Sequence, residues 1–139
     1  MTRVAVAILN YNGEKLLQKF LPAVVQFSPE AEIIIADNNS NDSSIKYVQQ
    51  AFPDIRIIQF DRNYGYCGGY NRALNELDTD YVVLLNSDIE VTRGWLRPML
   101  DLLHNDVAIA AVQPKILSYN KKTHFEHAGA GGRFIDSLR

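Results

Sequence analysis

Residues 32–52 read EIIIADNNSNDSSIKYVQQAF. Glu32 to Ala36 is a short apolar run that reads as a buried strand, Asp37 to Asp42 is a polar loop, and Ile45, Val48 and Phe52 recur along one helical face. Asp42 or Ser43 is placed to cap that helix. The stretch is therefore one strand–loop–helix unit, and its neighbours on both sides repeat it.

Upstream, Arg3 to Leu9 is a second apolar run that ends at Asn10-Tyr11-Asn12-Gly13 and gives way to Leu16, Leu17, Phe20, Leu21, Val24 and Val25 at helical spacing. Pro22 falls inside that pattern and predicts a kink, because it has no N–H to give and crowds the preceding turn. Downstream, Ile55 to Phe60 predicts a third strand, Asp61 to Gly65 a loop, the segment from Gly69 to Leu77 a helix, and Tyr81 to Leu85 a fourth strand. After Asn86-Ser87-Asp88, a helix over Trp95 to His104 and a strand over Ile109 to Val112 extend the rhythm until Gln113-Pro114 interrupts it. Beyond Lys121 the periodicity fades, and Gly129, Gly131 and Gly132 read as loop.

Strands alternating with helices imply an α/β fold: an open, mostly parallel sheet with right-handed crossovers and helices on both faces. Ile33-Ile34-Ile35 and Val82-Val83-Leu84-Leu85 have the continuous apolar character of strands buried on both sides. A chain of 139 residues fits one domain, able to bury roughly 68% of its unfolded surface. Its 47% hydrophobic and 22% charged residues are those of an ordinary globular protein. Fourteen basic and sixteen acidic side chains leave a net charge of -2, which supplies no positive field for nucleic acid. The single cysteine, Cys67, forms no disulfide within the chain, fits a cytoplasmic location and reads as a small buried residue. No apolar run approaches the roughly 18 residues that span a bilayer.

In an open α/β sheet ligands bind outside the carboxyl ends of the strands. The residues there are Asn10-Tyr11-Asn12, Asp37 to Asp42, Asp61 to Gly65 and Asn86-Ser87-Asp88, all rich in hydrogen-bonding side chains. The first turn lacks the Gly-x-Gly-x-x-Gly of a dinucleotide site, and there is no P-loop. Glycines gather instead at Gly65, Gly68 and Gly69, where a ligand or a neighbouring backbone can come close. A nucleotidyltransferase would need a glycine-rich turn after the first strand, and this chain has none.

Asn10-Tyr11-Asn12, Asp37-Asn38-x-Ser40-x-Asp42, Asn63-x-Gly65-x-x-Gly68-Gly69-x-Asn71 and Leu84-Leu85-Asn86-Ser87-Asp88 resemble, in order and spacing, the motifs of family 2 glycosyltransferases. The resemblance implies the GT-A fold and a UDP- or dTDP-linked sugar donor. It implies transfer with inversion to a saccharide or lipid-linked saccharide acceptor, and help from Mn²⁺ or Mg²⁺. Its rhamnosyltransferase-like flavour implies bacterial cell-surface polysaccharide synthesis, with the full-length protein peripheral to the inner face of the membrane. By the same resemblance Tyr11 lies beside the nucleobase, where any base can stack, and Asp37 accepts a hydrogen bond from the base. Asn10, Asn12, Asn63, Gly68, Gly69, Asn71, Asn86 and Ser87 face the donor, and Asp88 ligates the metal. Asn86 replaces the first acid of the family's Asp-x-Asp element, removing a charge but keeping a carbonyl to reach ribose or metal-bound water.

The family's catalytic base is expected after Arg139, residues 1–139 are expected to form the nucleotide-sugar-binding domain, and residues 120–139 to open an acceptor-side segment. A non-catalytic nucleotide-sugar-binding module is the alternative. His124-Phe125-Glu126-His127 has no matched third ligand and reads as surface or loop; the resemblance would bring His127 near the sugar.

Overall fold

The computed structural model describes residues 2–127. The chain divides into two compact units, Met1–Arg93 and Gly94–Arg139. In the first, β1 (Val4–Asn10), α1 (Glu14–Phe27), β2 (Glu32–Asp37), α2 (Ser44–Ala51), β3 (Arg56–Gln59), α3 (Gly65–Asn75) and β4 (Tyr81–Asn86) alternate as the sequence predicts. The four strands form one parallel sheet in the order β3-β2-β1-β4. The chain moves outward from β1 to β3, then crosses back over the sheet to place β4 on the other side of β1. Right-handed crossovers therefore put α1 and α2 on one face and α3 on the other. The order reverses between β1 and β4, which makes their carboxyl ends the switch point of the sheet.

Burial follows strand position. Ala5, Val6, Ala7, Ile34 and Ile35 of the two central strands are fully buried. β4 pairs only with β1 in the described sheet, so Val82 and Val83 are half-buried and Leu84 is 47% exposed, where its apolar run predicts burial on both faces. α1 buries Leu17, Phe20, Leu21 and Val24, each contributing about 1.5–3 kcal/mol of burial energy. Pro22 sits on the exposed side of α1, and the helix runs through it to Phe27; water can satisfy the carbonyl that Pro22 leaves without a donor.

The start of α3 differs from expectation. It begins at Gly65, not Gly69, where Asn38 holds the helix start: Asn38 Oδ1 accepts from Tyr64 N at 3.2 Å, and Asn38 Nδ2 donates to Gly65 O at 2.9 Å. Cys67 falls in the first turn of α3 and is exposed, not buried. Gly69 lies where α3 meets the sheet; a Cβ there would stand 2.6 Å from Leu9 Cδ1 and 2.8 Å from Asn38 Nδ2. Its missing side chain is accounted for by that close approach.

In the second unit, α4 (Arg97–Asn105) carries Pro98 in its first turn, where the missing N–H costs nothing, and an exposed Arg97–Asp101 ion pair at 2.8 Å. No α4 side chain is fully buried. The strand expected over Ile109 to Val112 does not form. A turn at Val107–Ala108 precedes that segment, Asp106 Oδ1 accepting from Ala108 N at 2.9 Å and the Asp106 carbonyl from Ile109 N at 3.1 Å, and residues 109–115 carry no regular structure. Strand structure resumes with β5 (Ile116–Leu117) and β6 (Phe125–His127), an irregular antiparallel pair. The glycine-rich stretch 128–132 lies outside the described residues.

Candidate functional site

The parallel register lays the strand ends side by side: Asn10 pairs with Asp37, Asp37 with Gln59, and Leu9 with Asn86. The loops after all four strands consequently emerge from one edge of the sheet, as the sequence predicts. At the opposite edge, a shallow depression of about 300 Å³ is lined by Thr2, Arg3, Glu30 and Asp78 among others. The polar strand-end residues lie at the other end of the strands.

The β1 and β2 loops are joined by a buried polar network. Asn10 is 0% exposed, and its Nδ2 lies 2.9 Å from Asp37 Oδ1, 3.0 Å from Ser40 Oγ and 2.9 Å from Ser44 Oγ. Asp37 is 1% exposed; Ser40 donates through its hydroxyl to Asp37 Oδ1 and through its N–H to Asp37 Oδ2. Ser40 Oγ in turn accepts from Asn12 N, and Asn12 Oδ1 accepts from Asn41 N at 2.8 Å. Asn12 holds φ at 51°, a left-handed conformation that asparagine tolerates better than most residues. Asn10 Oδ1 has no hydrogen-bond partner among the described residues and faces Gly13, where a Cβ would come within 2.5 Å of it. Asn10 and Asp37, which the resemblance has facing the donor, are both buried within this network.

Asp42 ties the same loop to two helices. One carboxylate oxygen accepts from Glu14 N at the start of α1, the other from the Ser44 N–H and hydroxyl at the start of α2. Partial burial opposes ionisation of Asp42, but these hydrogen bonds together outweigh it and hold the carboxyl below the usual range. Of the two residues expected to cap α2, Asp42 does so, whereas Ser43 makes no side-chain capping bond.

At the β3 loop, Asn63 Oδ1 accepts from Gly65 N at 2.7 Å and is exposed, as is Asn71 on α3, whereas Gly68 is half-buried. Arg62 and Arg72 both lie over the Tyr64 ring, their guanidinium carbons 4.8 and 3.7 Å from its centre. Its hydroxyl donates to Asp61 and, as the largest influence, pulls the Asp61 carboxyl below its ordinary value.

The switch point is more open. Tyr11 is 51% exposed. Asn86 and Asp88 are exposed, and Ser87 is half-buried with its Oγ close above Gly13, 3.9 Å from where a Cβ would stand. No hydrogen bond or ion pair among the described residues engages the Asp88 carboxylate. α3 supports this loop through Tyr70, 3% exposed, which donates to Leu85 O at 2.9 Å, and Tyr66, which donates to Asn86 Oδ1 at 3.0 Å. Neither tyrosine was singled out from the sequence; their i, i+4 spacing on a helix that follows the third strand was the available signal.

Burial, then the nearby Tyr66 and, more weakly, Asp88 push the Tyr70 hydroxyl up to about 12. A raised phenol contributes stability that is complete below its unfolded value near 10 and is lost as pH rises from there through the folded value near 12. Tyr70→Phe is therefore expected to flatten the alkaline stability loss over pH 10–12. An unchanged alkaline unfolding curve for the variant would contradict this.

A model of the glycosyl transferase family 2 domain matches residues 5–135. The chain belongs to glycosyl transferase family 2. Among relatives, it is 27% identical over 119 residues to the low-salt glycan biosynthesis hexosyltransferase Agl10 of Haloferax volcanii, covering 83% of this chain and 37% of that protein. It is 28% identical over 105 residues to the GalNAc(5)-diNAcBac-PP-undecaprenol beta-1,3-glucosyltransferase of Campylobacter jejuni, covering 72% of this chain and 34% of that one. S. aureus TarS 1-349, solved in complex with UDP-GlcNAc, superposes with a TM-score of 0.65 at 21% identity, over 75% of this chain and 32% of TarS 1-349. That likeness shows the GT-A fold. The family 2 chain described here thus spans well under half the length of these relatives.

Proposed function

We propose that this chain is the donor- and metal-binding domain, over residues 1–139, of a family 2 glycosyltransferase that uses a UDP- or dTDP-linked sugar and transfers it with inversion in cell-surface polysaccharide synthesis. The observation that carries the reading is the open carboxylate of Asp88 beside Asn86 and Ser87 at the β1/β4 switch point. The names of the relatives support a saccharide or lipid-linked saccharide acceptor, and the UDP-GlcNAc complex of TarS supports a nucleotide-sugar donor. No helix among the described residues is long and apolar enough to cross a membrane.

The donor set fits a hard cation held jointly with the ligand. Among the described residues no three acidic, histidine or cysteine side chains converge, so Asp88 would hold Mn²⁺ or Mg²⁺ as a lone carboxylate, with diphosphate oxygens and water completing the shell. When bound, the cation would neutralise charge on the diphosphate as it leaves. Tyr11 offers an exposed ring for the base, and the Asn12 turn, Ser87, Asn63 and Asn71 border the donor. Asn10 and Asp37 hold the floor. Residues 120–139 open the acceptor side.

Calorimetry with UDP, dTDP and GDP, each with Mn²⁺ or with EDTA, tests the reading. UDP or dTDP is expected to bind, about tenfold or more tightly with Mn²⁺. Failure of both to bind under either condition would refute it.

A further inference from the structure

Two tyrosines one helical turn apart on α3 grip the last two residues of β4. Tyr70 donates to the Leu85 carbonyl and fixes the height of the strand end. Tyr66 donates to the Asn86 side-chain carbonyl, and the two rings meet edge to face with centres 5.0 Å apart. The buried Tyr70 ring therefore seats the exposed Tyr66.

A carboxamide carries its acceptor and its donor on opposite arms. With Oδ1 turned to Tyr66, the Asn86 N–H₂ is left on the other arm of the amide, and no hydrogen bond among the described residues engages it. Asp88, two residues on, leaves its carboxylate open on the same loop. A phenol O–H would hold an aspartate at position 86 equally well, but only the carboxamide leaves a donor on its free arm.

We propose that Tyr66 is a positioning residue that holds Asn86 with its N–H₂ toward the nucleotide-sugar, so that Asn86 donates to a ribose or diphosphate oxygen instead of ligating the metal. The resemblance leaves the Asn86 carbonyl to reach ribose or metal-bound water; in this proposal the N–H₂ takes that part. The inference rests on the switch-point reading above and deepens it.

The test is calorimetry of UDP, or dTDP if that nucleotide binds better, on the 139-residue chain as wild type, Tyr66→Phe, Asn86→Ala, the double variant and Asp88→Ala, each with Mn²⁺ and with EDTA. Asn86→Ala is expected to weaken binding by about tenfold, equally with and without metal, as for a direct hydrogen bond to the ligand. Tyr66→Phe should weaken it by about threefold to fivefold, and the double variant should bind no worse than Asn86→Ala alone, because one removes what the other positions. Repeating the series with the free nucleoside separates the partners: the loss persists if ribose accepts the bond and disappears if the diphosphate does.

A loss confined to Mn²⁺ would make Asn86 a metal ligand and overturn the proposal. Multiplying losses, or a Tyr66→Phe variant that binds as wild type, would overturn it too. If Asp88→Ala abolishes the metal dependence while Asn86→Ala is silent, only this inference falls; if the wild type binds no nucleotide, the switch-point reading falls with it.

Discussion

Asn10→Ala is expected to lower the melting temperature by about 10 °C, corresponding to a loss of about 3 kcal/mol. The side chain is fully buried and its amide nitrogen faces a carboxylate and two hydroxyls drawn from the β2 loop and the start of α2. Hydrogen bonds to charged groups contribute about 1.5–3 kcal/mol, and alanine would also leave Asp37 buried with one donor fewer. The shape-conserving Asn10→Asp is expected to be worse than alanine at neutral pH, since it sets a second carboxylate against Asp37 with no cation near by. Thermal unfolding by circular dichroism reads both. A shift under about 2 °C for alanine, or an aspartate variant as stable as wild type, would show that the network contributes little to folding.

Asp88→Ala is expected to do the reverse, leaving the fold intact and removing the response to metal. Asp88 is exposed, and surface substitutions of this kind change stability by about 0.5 kcal/mol or less. In the proposed site, however, its carboxylate stands beside a diphosphate of like charge, and a divalent cation bound by both relieves that repulsion, so nucleotide and metal bind with positive coupling of about 1–3 kcal/mol. Alanine takes away the protein's share of the shell. The ratio of nucleotide dissociation constants in EDTA and in Mn²⁺ is then expected to fall from about tenfold or more toward one. A variant that keeps the full ratio would remove Asp88 from the metal site.

Much of the sheet was legible because its signals are local. Ile33-Ile34-Ile35 and Val4 to Leu9 are compact apolar runs, each closed by asparagine or aspartate, and alternation with helical faces specifies parallel strands. Several features depended on tertiary neighbours instead. Leu84 looks like its counterparts in β1 and β2, and it is exposed where β4 pairs only with β1 among the described residues. α3 starts four residues early, where Asn38, twenty-six residues upstream of Tyr64, holds the helix start. Ile109 to Val112 has strand composition, but it follows the Asp106 turn as irregular chain and pairs with no strand among the described residues.

The site was legible as an edge and less so as roles. Asn, Asp and Ser at strand ends announce hydrogen bonding without saying whether the partner is a ligand or the next loop. Tyr11, Asn86 and Asp88 are exposed at the switch point, whereas Asn10 and Asp37 bond to each other beneath it. Which asparagine faces outward is decided by the pairing of β1 with β2, a relation that no single stretch of sequence contains.

Asp42 spends its two oxygens on two different helices. A ligand that drew Asp42 outward would uncap α1 and α2 in the same movement, so the loop and both helix starts are coupled through it. Rigidity at this edge is thereby shared property, the Asp42 carboxylate adding to the bonds by which Asn10, Asn12 and Asp37 hold Ser40 and Asn41.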